Sequence, residues 1–276
     1  MTRIVLLLLL VLPVVACGQL QDLKVMTYNI RYDNKGDGVN QWSNRKSKVV
    51  TLIKKYDPDI IGVQEALHHQ LEDLANALKQ YTYVGVGRDD GKTKGEYSAL
   101  FIRKKRFRIS ENSTFWLSTT PSVPGSKDWD AAITRIATWA LLRDKKSKKE
   151  FLMLNTHFDH IGRESRKHAA HMLLDSAASL GNGDPVIITG DFNVTRDTEP
   201  YSIMVSSDPI KLVDPAPGNP PGTFCNFKVG GERCKGIDYI FHSTHWKARD
   251  YRVIDDNDGT YYPSDHLPVM VTLSLP

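Results

Sequence analysis

Along the chain, short apolar runs of strand character alternate with stretches whose apolar positions recur every three to four residues. The first kind predicts strands at Leu23–Asn29, Asp59–Gln64, Tyr81–Gly85, Tyr97–Arg103 and Phe107–Ser110. A long strand pair follows at Thr134–Arg143 and Glu150–His157, joined by the charged turn Asp144–Lys149. Further strands are expected at Pro185–Gly190, Ile237–Phe241, Tyr251–Ile254 and Val269–Leu273. Helical spacing marks Trp42–Tyr56, whose apolar side is Val49, Val50, Leu52, Ile53 and Tyr56, then Leu67–Leu78 and Arg163–Leu180. Strands interleaved with helices, with no internal repeat, imply one domain of two sheet layers with helices outside. Thr119–Trp129, with Pro121, Pro124 and Gly125, follows neither period; long irregular segments often carry function.

The N-terminus has a different pattern. Met1–Arg3 is positively charged, and Ile4–Val15 is an apolar run broken only by Pro13. It is too short to span a bilayer and reads as the core of a signal peptide over residues 1–16. The run ends in V-V-A-C, Val14–Cys17. Small residues before a cysteine predict lipidation at Cys17, with ordinary cleavage near Ala16 or Gly18 as the alternative. Residues 17–22 would then be a short tether and 23–276 the folded domain. The expectation is an exported protein: a cell-envelope lipoprotein held at the membrane by its anchor, or a periplasmic or extracellular protein. Cys225 and Cys234 flank V-G-G-E, a turn sequence, so an oxidising compartment permits a disulfide between them. Two free thiols are the alternative, and matching partners for a zinc site are lacking.

Charge changes this picture little. Lys and Arg exceed Asp and Glu by 36 to 32, too small an excess to select a nucleic acid as partner. The basic runs Arg103–Arg108 and Lys145–Lys149 fall between predicted strands and read as solvated turns. The chemistry lies at strand ends: Asn29 in M-T-Y-N, Glu65 in V-Q-E, His157 in N-T-H-F-D-H, Asp191 and Asn193 in T-G-D-F-N, Asp238 in I-D-Y, and Asp265 with His266 in S-D-H-L-P. A strand-end Asp or Asn is commonly a turn former, but this collection could converge on one rim of a sheet. Carboxylate and amide oxygens suit Mg2+, Mn2+ or Ca2+. Histidines can move protons near neutral pH, and carboxylates can orient them. No nucleophile elbow, phosphate loop or dinucleotide fingerprint is present.

Those motifs, in order from about Leu23 to Leu275, resemble the endonuclease/exonuclease/phosphatase superfamily to which deoxyribonuclease I belongs; G-D-F-N and S-D-H-L-P are the most specific. Pro124–Trp139 is similar to a bacterial secreted subgroup. The resemblance implies a four-layer α/β sandwich, two mixed β-sheets packed face to face with helices outside, and the site at one end. It also implies roles. Glu65 is the principal metal ligand, with Asn29 and Asp265 beside it. His266 is the base, oriented by Asp238, although the first Asp of G-D-x-N, Asp191, is the alternative base. His157 assists the leaving oxygen and pairs with Glu96. Asp191 and Asn193 contact the attacking water and the phosphate, and Arg135 reads either as a phosphate contact or as a strand-surface residue. Asp159, by alternation on the side of His157, is a substrate contact or a loop residue, as is His160. The expected activity is metal-dependent hydrolysis of a phosphodiester or phosphomonoester by a monomer. The candidate substrates are a nucleic acid, a lipid head group and a phosphorylated sugar. A catalytically inactive binding module on the same fold is the alternative of a different class.

Overall fold

Strand alternation decides where each side chain of this fold points, and two sheets result. The computed structural model describes residues 22–206, 208–230 and 234–275. The signal-peptide and Cys17 readings, and the tether apart from Asp22, lie outside the described residues. One six-stranded sheet comprises β1 (Leu23–Asn29), β2 (Ile60–Ala66), β3 (Tyr81–Val84), β4 (Tyr97–Arg103), β11 (Lys247–Val253) and β12 (Val269–Ser274), in the order β11-β12-β1-β2-β4-β3. The other comprises β5 (Phe107–Trp116), β6 (Ile136–Asp144), β7 (Glu150–His157), β8 (Val186–Asp191), β9 (Leu212–Val213) and β10 (Asp238–Ser243), in the order β5-β6-β7-β8-β10-β9. Both sheets are mixed: β1 with β2 and β7 with β8 are parallel, and the other pairs are antiparallel.

On β1, Leu23 and Val25 face the second sheet. They pack with Ile60, Leu100 and Ile102 against Leu142, Phe151, Met153 and Ile187. Met26 and Tyr28 point the other way, onto α1 (Trp42–Tyr56) and α2 (His68–Ala77), through Val49, Leu52, Ile53, Leu71 and Leu74. On the far side, α3 (Arg163–Gly181) lays Ala169, Ala170, Leu173, Leu174 and Ala177 on Leu152, Leu154, Val186 and Ile188. The layers run helix, sheet, sheet, helix, which is the sandwich expected from the sequence.

The face between the sheets changes character along the strands. Beyond the apolar tier comes a buried polar one. Gln64 donates to Thr27 Oγ1 at 3.0 Å and to Asn155 Oδ1 at 2.6 Å, Thr189 Oγ1 donates to the same Asn155 oxygen at 3.0 Å, and Asn155 Nδ2 caps the carbonyls of Val63 and Ala99. Gly62 leaves room for this network: a Cβ there would lie 2.2 Å from Thr189 Oγ1 and 2.5 Å from Asn155 Oδ1. Gly62→Ala is therefore expected to destabilise the fold by about 1–3 kcal/mol through overpacking and displaced hydrogen bonds. An unchanged urea midpoint would contradict this. One step further along the same face, period 2 delivers Asn29, His157, Asp191 and Asp238 to the rim.

Several expectations need adjustment. Strand β5 continues to Trp116, past the expected Ser110, because its exposed positions Glu111, Asn112 and Ser113 hide the alternation and a register shift lies between Ile109 and Glu111. β6 begins at Ile136, so Arg135 stands just outside the strand. A 3-10 segment at Lys35–Asn40, α4 (Glu199–Met204) and the two-residue β9 carry too short a pattern to be read from sequence. The basic runs lie at the end away from the rim, with turns at 104–106 and 145–147 and Arg103 and Arg108 in the flanking strands; Arg103 binds Asp57 and Asp59, and Arg106 binds Asp59 and Asp144. The irregular loop packs on α3, with Trp129 stacked on His168 at 4.3 Å. Cys225 and Cys234 form a disulfide.

Candidate active site

At the rim, Asn29 is the hub. Its amide nitrogen lies 3.0 Å from Glu65 Oε1, 3.0 Å from Asp191 Oδ2 and 3.4 Å from His266 Nε2. Glu65 reaches this point only because the backbone breaks its alternation. Ile61 and Val63 face the helices, and Glu65 would follow them. Instead it adopts left-handed φ of 64°, beside a register shift between Gln64 and Ala66. Such a conformation is costly for a residue with a side chain and is typical of sites that need a re-aimed group. Its second oxygen accepts the Tyr32 N–H.

The two histidines sit in different fields. His266 Nδ1 is 2.9 Å from Asp238 Oδ2, and its Nε2 is 3.6 Å from Asp191 Oδ2. Burial alone disfavours its charge, but Asp238 and Asp191 outweigh burial and hold His266 well above the usual histidine range. Burial and the neighbouring Asp238 push Asp191 up to about 7, opposed by His266 and the Asn29 amide. His157 is the reverse case: burial, then Arg135 and Arg88, hold it well below its usual value and keep it neutral. Its Nε2 lies 3.1 Å from Asn193 Nδ2 and 3.4 Å from Asp191 Oδ2.

Glu65, Asp191 and His266 each offer one ligand atom within 4.8 Å of the others, the only such grouping of metal-ligand side chains among the described residues. Two carboxylates and one imidazole form a donor set that fits a divalent ion, while Asn29 turns its amide nitrogen to the carboxylates and its oxygen to the Arg31 N–H. Asp265, expected as a ligand, falls outside that grouping. It lines the cleft, takes the Ser264 hydroxyl at 3.2 Å and lies 3.8 Å from Arg31. Glu96 is also differently engaged: both its oxygens bind Arg88, at 2.7 and 2.8 Å, instead of pairing with His157. Asp159 is spent on backbone, accepting from Ile161, Gly162 and Ile133, with Arg135 Nε 3.9 Å away. It shapes the loop; the substrate-contact reading does not fit a carboxylate so occupied and only 2% exposed.

Arg135 is the notable cation. It is 6% exposed, its Nε and Nη1 have no hydrogen-bond partner, and Nη2 faces His160 Nδ1 at 3.3 Å. It lines a cleft of about 1430 Å³ with Arg88, His157, His160, Asn193 and the metal-ligand group. Sequence alone does not single out Arg88 or Arg31. Arg88 sits in G-R-D-D-G, which reads as an exposed turn, and only its pairing with Glu96 places it in the cleft. Arg31 stands between Asp37, Glu65 and Asp265, in a left-handed conformation that sequence does not disclose.

The pattern of polar strand ends has a counterpart in known proteins. The model of the endonuclease/exonuclease/phosphatase family matches residues 26–266. The chain belongs to that family. Membership places it among hydrolases of phosphoric esters. Among solved members, an endonuclease/exonuclease/phosphatase from Bacteroides vulgatus is 37% identical, with a TM-score of 0.88 over 93% of this chain and all of the other. A mannosyl-6-phosphatase from Bacteroides thetaiotaomicron is 39% identical, with a TM-score of 0.83 over 91% of this chain and 99% of that one. Rat nocturnin is 25% identical over 92% of this chain, which spans 66% of nocturnin's length.

Proposed function

We propose that the protein hydrolyses a phosphate monoester carried by a sugar or polyol, with a divalent ion held at Glu65, beside Asn29. The observation that carries the substrate class is the buried Arg135 guanidinium, two of whose nitrogens lack a hydrogen-bond partner, beside Arg88 and the metal-ligand group. A terminal phosphate is a dianion with three unesterified oxygens and rewards two adjacent guanidiniums. Asp37, Asp197 and Glu199 share the cleft lining with the cations. Acidic and basic side chains are mixed there, with Asp37 paired to Arg31 and Glu199 to Lys167, unlike the basic track that suits a nucleic-acid backbone. The 39% identical mannosyl-6-phosphatase supports the same class.

When bound, the ion would neutralise charge developing on the phosphoryl oxygens. The chain's own groups do the rest. A water on the Asp191–His266 side gives up its proton to that pair, at His266 Nε2 or Asp191 Oδ2, and Asp238 stabilises the imidazolium from Nδ1. The two arginines hold the equatorial oxygens, and Asn193, whose amide donates to the Phe158 carbonyl and faces His157 Nε2, orients the imidazole. Neutral His157 stands beside the same Asp191 oxygen, 3.4 Å away.

The testing experiment is hydrolysis of p-nitrophenyl phosphate, bis-p-nitrophenyl phosphate, phosphorylated sugars, plasmid DNA and sphingomyelin with Mg2+, Mn2+ or Ca2+ and with chelator. Sugar phosphates as the best substrates support the reading. DNA or sphingomyelin would replace it, and no turnover anywhere would favour a binding module. Arg135→Met should cost about 10–100-fold in kcat/KM on the monoester, the worth of a buried charge-assisted hydrogen bond or two. An equal loss on the diester would contradict a terminal-phosphate role.

Export is part of the same proposal. It is supported by the Ile4–Val15 run, V-V-A-C and a closed disulfide. Cys17→Ser should move the protein from the membrane to the soluble fraction if Cys17 carries lipid, and unchanged fractionation would argue for plain secretion.

A further inference from the structure

The segment Thr223–Asn226 touches three rim residues at once. Thr223 Oγ1 accepts the Asp238 N–H at 3.2 Å and the Ile237 N–H at 3.1 Å. The Cys225 and Asn226 N–H groups both donate to the Asp265 carbonyl, at 2.8 and 3.1 Å, and Leu267 N donates back to the Thr223 carbonyl at 2.7 Å. Phe224 forms a bridge with His266 and lays its ring 5.0 Å from the imidazole. The other side of the segment is bonded to Lys235, in both directions. The Cys225–Cys234 disulfide ties these two sides together, one residue from Phe224 and one from Lys235.

The segment belongs to none of the named strands, and its described hydrogen bonds run to Lys235, to the start of β10 and to the Asp265–Leu267 turn. Yet Asp238 and His266, on either side of it, must keep a 2.9 Å hydrogen bond between elements 28 residues apart. We propose that the Cys225–Cys234 disulfide is a positioning device for the Asp238–His266 pair. Closed, it clamps Thr223–Asn226 between the start of β10 and the Asp265–Leu267 turn; opened, it lets the pair drift and turnover fall. The inference rests on the hydrolase reading given above. Thr223 and Phe224 are positioning residues, because they act through Asp238 and His266 and not on the substrate.

The test uses the metal-loaded protein, oxidised and then reduced with tris(2-carboxyethyl)phosphine. In that reaction the S–S bond breaks to two thiols while the phosphine takes oxygen from water and becomes its oxide. Two readouts are needed: kcat and KM on p-nitrophenyl phosphate, and amide hydrogen exchange. Reduction should lower kcat roughly ten- to a hundredfold, the cost of misplacing a catalytic group by about an ångström, with KM little changed. Exchange should quicken at Asp238, Cys225, Asn226 and Leu267 and stay slow in β1, β2, β7 and β8. Reoxidation should restore both, and the double variant C225S/C234S should match the reduced protein without responding to reductant.

Unchanged exchange at those amides on reduction overturns the proposal, as does faster exchange there with kcat unaltered. Faster exchange throughout the core strands, with kcat and KM changing together, would mark the bridge as a general stabiliser and also overturn it. An oxidised protein with no metal-dependent turnover sinks the hydrolase reading and the claim on turnover with it; the exchange pattern still reports separately whether the bridge clamps Asp238.

Discussion

His266→Ala is expected to lower kcat by about 10²–10⁴-fold, the usual worth of a positioned proton-transfer group. The imidazole is buried between two carboxylates, Asp238 behind Nδ1 and Asp191 before Nε2. This environment favours the cation produced when a water proton is taken up. Removal leaves Asp191 as the sole proton acceptor on that side, so residual activity should remain, and it should fall further in the double variant with Asp191→Asn. The same variant separates two roles that the geometry allows for Nε2. If His266 only moves the proton, calorimetric titration with Mn2+ should be nearly unchanged. If Nε2 is a ligand, as its place in the three-residue grouping permits, affinity should collapse along with turnover. Near wild-type kcat would end both readings.

Glu65→Gln should do the reverse. The substitution keeps shape and removes one charge, so Mn2+ affinity should fall by more than the roughly 10–100-fold that loss of an outer-shell partner costs. Excess metal should restore part of the activity. Glu65 also accepts hydrogen bonds from the Asn29 amide and the Tyr32 N–H. A glutamine retains one acceptor, and the fold should lose no more than about 1–3 kcal/mol. A metal titration indistinguishable from wild type would remove Glu65 from the ligand set. Together the two variants assign proton transfer and metal binding to different side chains, which neither can do alone.

Much of the site is legible in the sequence because it rests on strand periodicity. Asn29, His157, Asp191 and Asp238 each lie an even number of residues from an apolar position that faces the opposite sheet. Alternation alone sends them to the same face, and the end of the apolar run sends them to the same rim. The G-D-F-N and S-D-H-L-P motifs mark the loops that complete it. What escapes a sequence reading is of another kind. Arg88 gains its place from a bidentate contact with Glu96 eight residues away, and Arg31 from a positive φ. Asp159 stands in the expected neighbourhood with its oxygens already committed to backbone.

The sequence by itself determined the layer order, most of the strands and the family of chemistry, because these follow from periodicity and from residue types at strand ends. Only the tertiary structure decided which carboxylate is free and which is spent. It turned Glu65 inward by a left-handed residue, grouped it with Asp191 and His266, gave Glu96 to Arg88, closed the Cys225–Cys234 bridge and left the Arg135 guanidinium buried with two unpaired nitrogens. Those outcomes depend on distances between atoms far apart in the chain. A hydrogen bond is made or lost within about an ångström, a resolution that no one-dimensional pattern carries.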